Sequence, residues 1–407
     1  MIIPFEKHNT GALPKVFYFC IFILFVNSMG LWIGWCGREK IIRAISIGLM
    51  LFSIIHYNIK FSLNKKNIVS VLVVCVCSVF FFGEMSILGF SNFFLFFIFC
   101  CLDIYNQKQC LKYIFKWFAW MMVPSIIVYV FVQFGTMPSF GSIAITDDVN
   151  VNTGFEYINR TNYLFYCWSS VYNIRFNGPF VEPGHLGMIT AFLLFADGFQ
   201  FKKKETWILI LTILMTLSLS GYFLLVAAYL FMKIEKQQVN ISLVVFIFSV
   251  LILIYSIGKF YNGGDNFLND MILSRLEYDE ERGFSGNNRV TAMVYIYYDA
   301  MFNDIGTLLY GYKKDVVDYM LMNKEGGTGF LMSMVAHGLI GTIAGILFYF
   351  VYYLFSEHKR TAFLFFTFVI MLYWQRTYPF WYSWIICFVF GITNRINEGG
   401  FVRNNYK

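Results

Sequence analysis

Long, uninterrupted runs of apolar residues recur along the whole 407-residue chain, and short polar segments separate them. The apolar positions are continuous rather than alternating, and a helix needs about 20 such residues to cross a bilayer. Because only helices and closed barrels satisfy their backbone in lipid, the pattern predicts membrane-spanning helices. The predicted spans are 16–35, 41–59, 68–83, 87–102, 113–135, 184–201, 207–232, 240–257, 329–355, 361–374 and 378–392.

The run 207–232 is interrupted by the polar sequence SLSG at 218–221. A single pass would separate Lys233 and Lys236 from the other lysine clusters by the membrane. Two halves of about 12 residues would return the chain to its starting side, but each is too short to cross alone. The break must then be buried in protein or line a cavity. We favour the broken span, in which Ser218, Ser220 and Gly221 line a water-accessible cavity.

The lysines set the expected orientation. They gather in the turns 60–66, 108–116 and 202–204, which the positive-inside rule places in the cytoplasm. The loops 136–183 and 258–328 then face the periplasm, and both termini are cytoplasmic. The first apolar run lacks a small-residue cleavage site, so we expect it to remain as an anchor. The sequence therefore predicts a single integral-membrane domain over 1–407, an all-α polytopic protein with about 11 to 12 transmembrane helices.

Composition excludes several other classes. The chain is 58% hydrophobic and 14% charged, with a mean hydropathy of +0.61, which is not the composition of a soluble protein. The basic residues behind its net charge of +7 lie in the loops and form no basic face, so nucleic-acid binding is not expected. The nine cysteines lie mostly in apolar runs, without metal-ligand spacing in a polar setting. We expect no metal and no other cofactor.

Arginine, unlike lysine, is common in the predicted outer loops. The arginines concerned are Arg160, Arg175, Arg275, Arg282 and Arg289, with Arg376 in the last outer turn. A planar guanidinium binds phosphate or carboxylate through two parallel hydrogen bonds, which lysine does less well. In the alternative, long loops translocate whatever their charge, and these arginines pair with acids such as Asp279. For Arg160 and Arg282 both interpretations stay open.

The most polar stretch is RFNGPFVEPGHLG at 175–187. Pro183 and Gly184 are typical of a helix start, and Glu182 would lie at its N-cap, beside the positive end of the helix dipole. In one interpretation Glu182 is only a cap with Arg175 as its partner. In the other, Arg175, Glu182 and His185 form an anion-binding and acid/base cluster at the mouth of a cavity, because polar groups at membrane depth are usually functional.

Two further segments carry candidate residues. After a turn at 285–287, apolar residues recur at helical spacing and predict an amphipathic helix that lies on the membrane or plugs the bundle: Val290, Met293, Val294, Tyr297 and Met301. Arg289 in its first turn would bind a phosphate. In GGTGFLMSMVAHGLIGTIAG from Gly326, small residues favour close helix packing. His337 there is either a catalytic group or a buried hydrogen-bond partner.

These segments, in this order, resemble the bacterial O-antigen polymerase and ligase family, specifically Wzy-type O-antigen or capsule polymerases. The resemblance rests on R-x-N-G-x-F-x-E-P-G-H-x-G at 175–187, LSLSG at 217–221, SGNNR at 285–289 and GYKKD followed by GTGFLMSMVAHGLIG. It covers most of the chain from about residue 170 onward. The earlier spans are similar to the family only in being apolar.

The resemblance implies a metal-independent glycosyltransferase of the bacterial inner membrane that uses undecaprenyl-diphosphate-linked oligosaccharides at the periplasmic face. Arg175 and Arg289 would hold the donor diphosphate, with Arg275 as a further candidate. Glu182 or His185 would orient or deprotonate the acceptor hydroxyl, and His337 is the third catalytic candidate. A chain-length regulator and a flippase are the implied protein partners.

This chain differs at one position from the ligases of this family. Those ligases carry a histidine near the start of the span that contains the Gly-Leu-Ile-Gly sequence, where this chain has Gly327 and Thr328. That difference favours a polymerase over a ligase. A lipid-linked oligosaccharide flippase is the alternative from another class, although its charges would be scattered through many spans.

Overall fold

The computed structural model describes residues 14–35, 37–82, 87–145, 158–169, 174–238, 241–276, 278–279, 283–284, 291–322 and 329–396. The helices are α1 Pro14–Asn27, α2 Arg38–Tyr57, α3 Lys65–Phe82, α4 Ile87–Cys101, α5 Ile104–Gln133, α6 Pro183–Asp197, α7 Lys204–Met215, α8 Leu219–Glu235, α9 Ile241–Phe260, α10 Phe267–Met271, α11 Ala292–Ala300, α12 Ile305–Tyr310, α13 Lys314–Met322, α14 Phe330–Leu354, α15 Lys359–Gln375 and α16 Tyr382–Ile396. Short 3-10 helices occur at Trp32–Gly34, Tyr261–Gly264, Leu273–Leu276 and Met301–Asn303.

The protein is mostly helical, as the apolar runs predict. In the described part of the chain, three helices are long and apolar enough to cross a membrane: α2, α5 and α14. Shorter apolar helices cover Lys15–Asn27 and Ser91–Cys101. These features are those of an all-α membrane protein.

The predicted interruption of 207–232 is present. Helix α7 ends at Met215, and α8 begins at Leu219. Leu217 adopts a left-handed backbone conformation, with φ +46°, which a continuing helix does not allow. Ser218 is the N-cap of α8, and its hydroxyl accepts a hydrogen bond from the Gly221 amide at 3.3 Å. Serine is a favoured N-cap because its oxygen satisfies an amide that has no partner within the helix.

Short strands were not predicted from the sequence. Strands β1 Ser142–Ile145, β2 Ile158–Asn162 and β3 Cys167–Trp168 form an antiparallel sheet, with Ser142 opposite Thr161 and Thr161 opposite Trp168. A second pair, β4 Tyr278–Asp279 and β5 Gly283–Phe284, lies in the segment between α10 and α11. The first sheet immediately precedes the turn that leads into α6.

Helix α6 forms the centre of the bundle. Each of its residues is buried, and it packs against α5, α7, α8 and α16. Gly187 of α6 and Gly221 of α8 meet at the crossing: a Cβ built on Gly221 would lie 3.2 Å from the Gly187 Cα. Small residues allow two helix backbones to approach closely. The burial explains why α6 is apolar on all sides.

The predicted helix after residue 290 is present as α11, but its environment differs from one of the two expectations. The side chains of Val294 and Met301 are fully buried, and Val294 packs with Met320, Met332 and Val335. These contacts come from α13 and α14. The described residues Val294, Tyr297 and Met301 of the apolar stripe therefore face protein, so the interpretation that this stripe lies on the membrane is wrong, while Val290 lies outside the described residues. The structure agrees with the alternative in which the stripe packs against the bundle.

Candidate functional site

Glu182 lies at the start of the central helix. It occupies the N-cap position of α6 with an extended backbone (φ −134°, ψ 140°), and Pro183 follows in the first turn, as the sequence predicts. Its carboxylate, however, does not cap the helix. The carboxylate instead points to the turn between α15 and α16, where it meets Arg376. The backbone of Glu182 therefore starts helix α6, whereas its side chain forms an ion pair with Arg376.

Three charged or titratable side chains converge at this point. Arg376 Nη2 donates to Glu182 Oε2 at 2.5 Å, and His185 Nε2 lies 3.5 Å from the same oxygen. The exposed fractions of the side chains are 16% for Glu182, 10% for Arg376 and 7% for His185. At such burial, charges are weakly screened, so each strongly influences its neighbours. Glu182 is therefore shared between a permanent cation and an imidazole.

Two aromatic rings flank this group. Tyr378 and Trp381 stack with a centroid distance of 4.3 Å and an interplanar angle of 4°. The His185 ring is perpendicular to both, at 4.9 Å from Trp381 and 5.7 Å from Tyr378. Because the His185 ring is within 5.7 Å of both stacked rings, it lies beside the stack rather than on its outer face. We call Glu182, His185, Arg376, Tyr378 and Trp381 the Glu182 cluster.

The break between α7 and α8 adjoins the Glu182 cluster. A Cβ built on Gly184 would lie 3.9 Å from both Arg376 Nη2 and Ser218 Oγ. Ser218 and Ser220 are buried, and their hydroxyls are 3.0 Å apart. Gly221 packs against α6. The three residues predicted to line a cavity thus lie at the contact between α6 and α8, one turn from Glu182.

The turn before α6 is held by the polar residues of the same stretch. Arg175 Nε donates to the Thr216 carbonyl at 3.2 Å, and the Phe176 amide donates to the Met215 carbonyl at 3.0 Å. Both acceptors belong to the end of α7, where helix carbonyls lack partners within the helix. Asn177 is buried and donates to the carbonyls of Cys167 and Phe180. In the described part of the chain, the Glu182 carboxylate pairs with Arg376, and Arg175 binds the end of α7.

Arg160, one of the ambiguous arginines, is buried in β2. It is 2% exposed, and its Nη2 donates to the Val181 carbonyl at 3.3 Å. That carbonyl immediately precedes Glu182, so Arg160 supports the backbone on which the glutamate is carried. Nearby, burial raises the pKa of the Cys167 thiol to about 12, although Arg160 opposes the shift.

His337 is placed elsewhere. Its ring stacks on Phe81 with a centroid distance of 4.1 Å, and Phe81 packs edge-on against Phe380 at 5.4 Å. Among the described residues, no hydrogen bond, ion pair or ring contact joins His337 to Glu182 or His185. The three catalytic candidates do not form a single group.

The expected diphosphate-binding arginines are only partly described. Arg289 and Arg282 lie outside the described residues. Arg275 is in the short 3-10 helix Leu273–Leu276, and its side chain also lies outside the described part. Of the expected Arg175, Arg275 and Arg289, only Arg175 has a described side chain, and it lies at the break between α7 and α8. In the described ranges, no three His, Cys, Asp or Glu side chains are grouped as metal ligands would be.

Sequence reasoning missed Arg376 as a site residue, together with Tyr378 and Trp381. The signal was present in the turn QRTYPFWY at 375–382, where a short connection between two apolar runs holds one arginine and four aromatic residues. Arg376 was identified as an arginine of the last outer turn, but nothing in the sequence connects that turn to Glu182. No protein-family model matches the chain, and no curated protein or solved structure matches it either.

Proposed function

We propose that the protein is a membrane glycan polymerase that works on lipid-diphosphate-linked repeat units. The observation that carries the proposal is the Glu182 cluster: an imidazole, a carboxylate and a guanidinium share one buried corner beside two stacked aromatic rings. The Wzy-type resemblance of 175–187 and 217–221 agrees with it. The proposed reaction takes place at the periplasmic face of the bacterial inner membrane, with both termini in the cytoplasm and the loops 136–183 and 258–328 outside.

In the proposed reaction, the growing glycan moves from its lipid carrier to a new lipid-linked repeat unit. The hydroxyl oxygen at the non-reducing end of the new unit attacks the anomeric carbon of the growing chain. The bond from that carbon to the diphosphate oxygen breaks, and undecaprenyl diphosphate leaves with the electron pair. The hydroxyl proton passes to a base on the protein. Every atom is accounted for without a cofactor.

His185 is the better base of the two candidates. An arginine held 2.5 Å from Glu182 stabilises the ionised carboxylate and makes it a weaker proton acceptor. A carboxylate beside an imidazole has the opposite effect, because it stabilises the imidazolium formed when the ring accepts a proton. Glu182 would thus orient His185 and balance its charge during the reaction. Arg376 would hold Glu182 in place.

The remaining polar groups have supporting roles in this proposal. Arginine fits a diphosphate through paired hydrogen bonds, and Arg175 lies where two helix ends meet. For Arg289 and Arg275, only the resemblance to the polymerase family assigns a role in diphosphate binding. The stacked rings of Tyr378 and Trp381 offer flat apolar surface beside the base, which suits the apolar face of a sugar ring. Ser218 and Ser220 add hydroxyls at the break between α7 and α8.

The test has a cellular and a biochemical part. Deleting the gene in its host should leave surface glycan of a single repeat unit, whereas loss of every repeat unit would indicate a ligase or a flippase. The purified protein in proteoliposomes should convert lipid-linked repeat units isolated from the deletion strain into polymer without added nucleotide or metal. A wild-type preparation that yields no polymer, while its His185→Asn variant behaves identically, would refute the proposal.

A further inference from the structure

The segment between α11 and α13 contains an uncharged stretch between two charged residues. Asp304 precedes it, Lys313 follows it, and residues 305–312 read IGTLLYGY. Helix α12 occupies the first six of these residues. Although the stretch belongs to a predicted periplasmic loop, Ile305 is 76% exposed and Tyr310 is 68% exposed. Exposed large apolar side chains, where they form a patch, usually mark a contact surface.

Helix α12 crosses α14 at a break in the longer helix. Gly338 has φ +63° and ψ −170°, which interrupts α14. A Cβ at Gly338 would lie 2.4 Å from the Gly311 amide nitrogen, so the two backbones touch. The Tyr312 amide donates to the Val335 carbonyl at 2.9 Å, which satisfies an acceptor freed by the break. In lipid, irregular backbone persists only where neighbouring protein supplies such partners.

The depth of this crossing follows from the length of α14. On the C-terminal side of the break, Leu339–Leu354 spans about 24 Å along the helix axis, at 1.5 Å per residue. Phe355 and Ser356 follow before Glu357, the first charged residue after the helix. The hydrocarbon core is about 30 Å thick, and a tilted helix covers still less of it. If α14 spans the membrane, the outer hydrocarbon boundary therefore lies at or above Gly338.

The upper end of α14 agrees with this depth. Phe330 stacks on Trp374 with a centroid distance of 5.2 Å, and Trp374 is 67% exposed. Exposed tryptophan is typical of the membrane–water interface. Phe330 lies eight residues, or about 12 Å, above Gly338. The contact between α12 and α14 thus falls inside the hydrocarbon layer.

Helix α12 contacts α14 where a surface that lipid would cover begins. Leu339, Ile343, Leu347 and Phe350 are exposed on one face of α14, and this row begins directly after Gly338. Asp304 lies at the start of α12, where hydrogen bonds from Thr307 hold the pKa of its carboxyl below the ordinary value. The ionised group is suited to the headgroup layer. Lys313 is suited to the same layer where the chain leaves the hydrocarbon.

We propose that residues 305–312 form a shallow re-entrant segment that inserts into the outer leaflet beside α14, with Ile305 and Tyr310 in contact with lipid. The bilayer is the occupant of this surface. A part of the second long loop would thus lie in the membrane, and α12 would fill the notch that the break in α14 leaves. The inference does not depend on the proposed reaction.

The experiment measures lipid contact directly. Single cysteines are placed at Ile305 and Tyr310 in a variant in which the nine native cysteines are replaced, and each is labelled with the fluorophore NBD. The matched control is Ser139→Cys, which lies on an exposed surface of the first loop. The protein is placed in nanodiscs of phosphatidylethanolamine and phosphatidylglycerol. Quenching by doxyl-labelled acyl chains is compared with quenching by iodide in water.

We expect doxyl lipid, but not iodide, to quench the labels at 305 and 310, and the reverse at 139. Iodide quenching at 305 and 310 equal to that at 139 would overturn the proposal, because the segment would then face water. Quenching by neither reagent would also overturn it, since protein would cover the surface. If a cysteine variant misfolds, the wild-type chain is crosslinked to a phospholipid with a diazirine in its acyl chain. Adducts at 305–310 and none at 136–142 are then expected.

Discussion

Arg376 donates a hydrogen bond to Glu182 across 194 positions of sequence, and the two side chains are only 10% and 16% exposed. An ion pair at this depth gives little net stability, because both charges lose their hydration. Removing one partner is nevertheless costly, since the other charge remains buried. The chain contains a second pair of the same kind, in which Arg395 Nε donates to Glu235 Oε2 at 3.0 Å. That pair joins the end of α8 to the end of α16.

The two pairs separate a functional role from a structural one. We expect Glu182→Gln and Arg376→Lys to lower the rate of polymer formation about a hundredfold, the usual effect of removing one preorganised charge partner from an active site. Glu235→Gln and Arg395→Lys should reduce stability by about 3 kcal/mol and leave the rate per folded molecule unchanged. Rates are measured in proteoliposomes and stability by thermal unfolding. Equal rate losses at both pairs would mean that the pair of Glu182 and Arg376 only stabilises the fold.

Arg175 has two possible roles that lysine can distinguish. Its Nε donates a hydrogen bond to the Thr216 carbonyl, and in the proposed function its guanidinium binds the donor diphosphate. We expect Arg175→Lys to lower the rate strongly and to raise the KM for the lipid-linked donor, because an ammonium cannot make paired hydrogen bonds. If the variant is merely less stable, with normal kinetics per folded molecule, then Arg175 serves only to hold the end of α7.

The sequence predicts local features of this site and misses distant ones for a physical reason. The start of α6 follows from Pro183, and the break before α8 follows from Ser218 and Ser220 in an apolar run, since both depend on neighbouring residues. The partner of Glu182 does not follow from neighbouring residues, because no spacing rule relates Glu182 to Arg376. The strands β1–β3 were missed because they are short and lie in a polar loop. The apolar stripe of α11 was found, but periodicity cannot tell lipid from protein as its partner.

The crossing of α6 and α8 predicts a steep dependence on side-chain size at Gly221. A Cβ there would lie 3.2 Å from the Gly187 Cα, so Gly221→Ala should cost about 1–3 kcal/mol of stability. Gly221→Leu should reduce the folded protein in the membrane, because α6 has no room to move within the bundle. The matched control is Gly48→Ala in α2, where a Cβ would meet nothing within 4 Å. It should be neutral or stabilising by up to about 1 kcal/mol.

Thermal unfolding in detergent ranks these three variants. A Gly221→Leu protein with wild-type stability and wild-type polymer would show that the helices separate easily, and that the contact between α6 and α8 does not shape the site. Loss of activity with full stability would instead favour the cavity that the sequence predicts at this position.

The thiol of Cys167 predicts a pH dependence of stability. Burial raises its pKa to about 12 from an ordinary value near 9.0. The folded state therefore keeps its proton where the unfolded state loses it, so stability is complete below about pH 9 and falls as pH rises toward 12. Cys167→Ala should flatten this decline. Unfolding is measured between pH 7 and 10.5, and an identical slope in both proteins would contradict the assignment.

The orientation of the first loop is tested with two exposed positions. In a variant without native cysteines, Ser139→Cys should react with a membrane-impermeant maleimide in intact spheroplasts, because the loop 136–183 is proposed to face the periplasm. Lys202→Cys, which is also exposed, should react only after the membrane is permeabilised, since the turn 202–204 carries the lysines that the positive-inside rule retains in the cytoplasm. Comparing two exposed sites ensures that a difference in labelling reports sidedness and not burial. The reverse pattern would place the Glu182 cluster at the cytoplasmic face and would exclude the proposed periplasmic reaction.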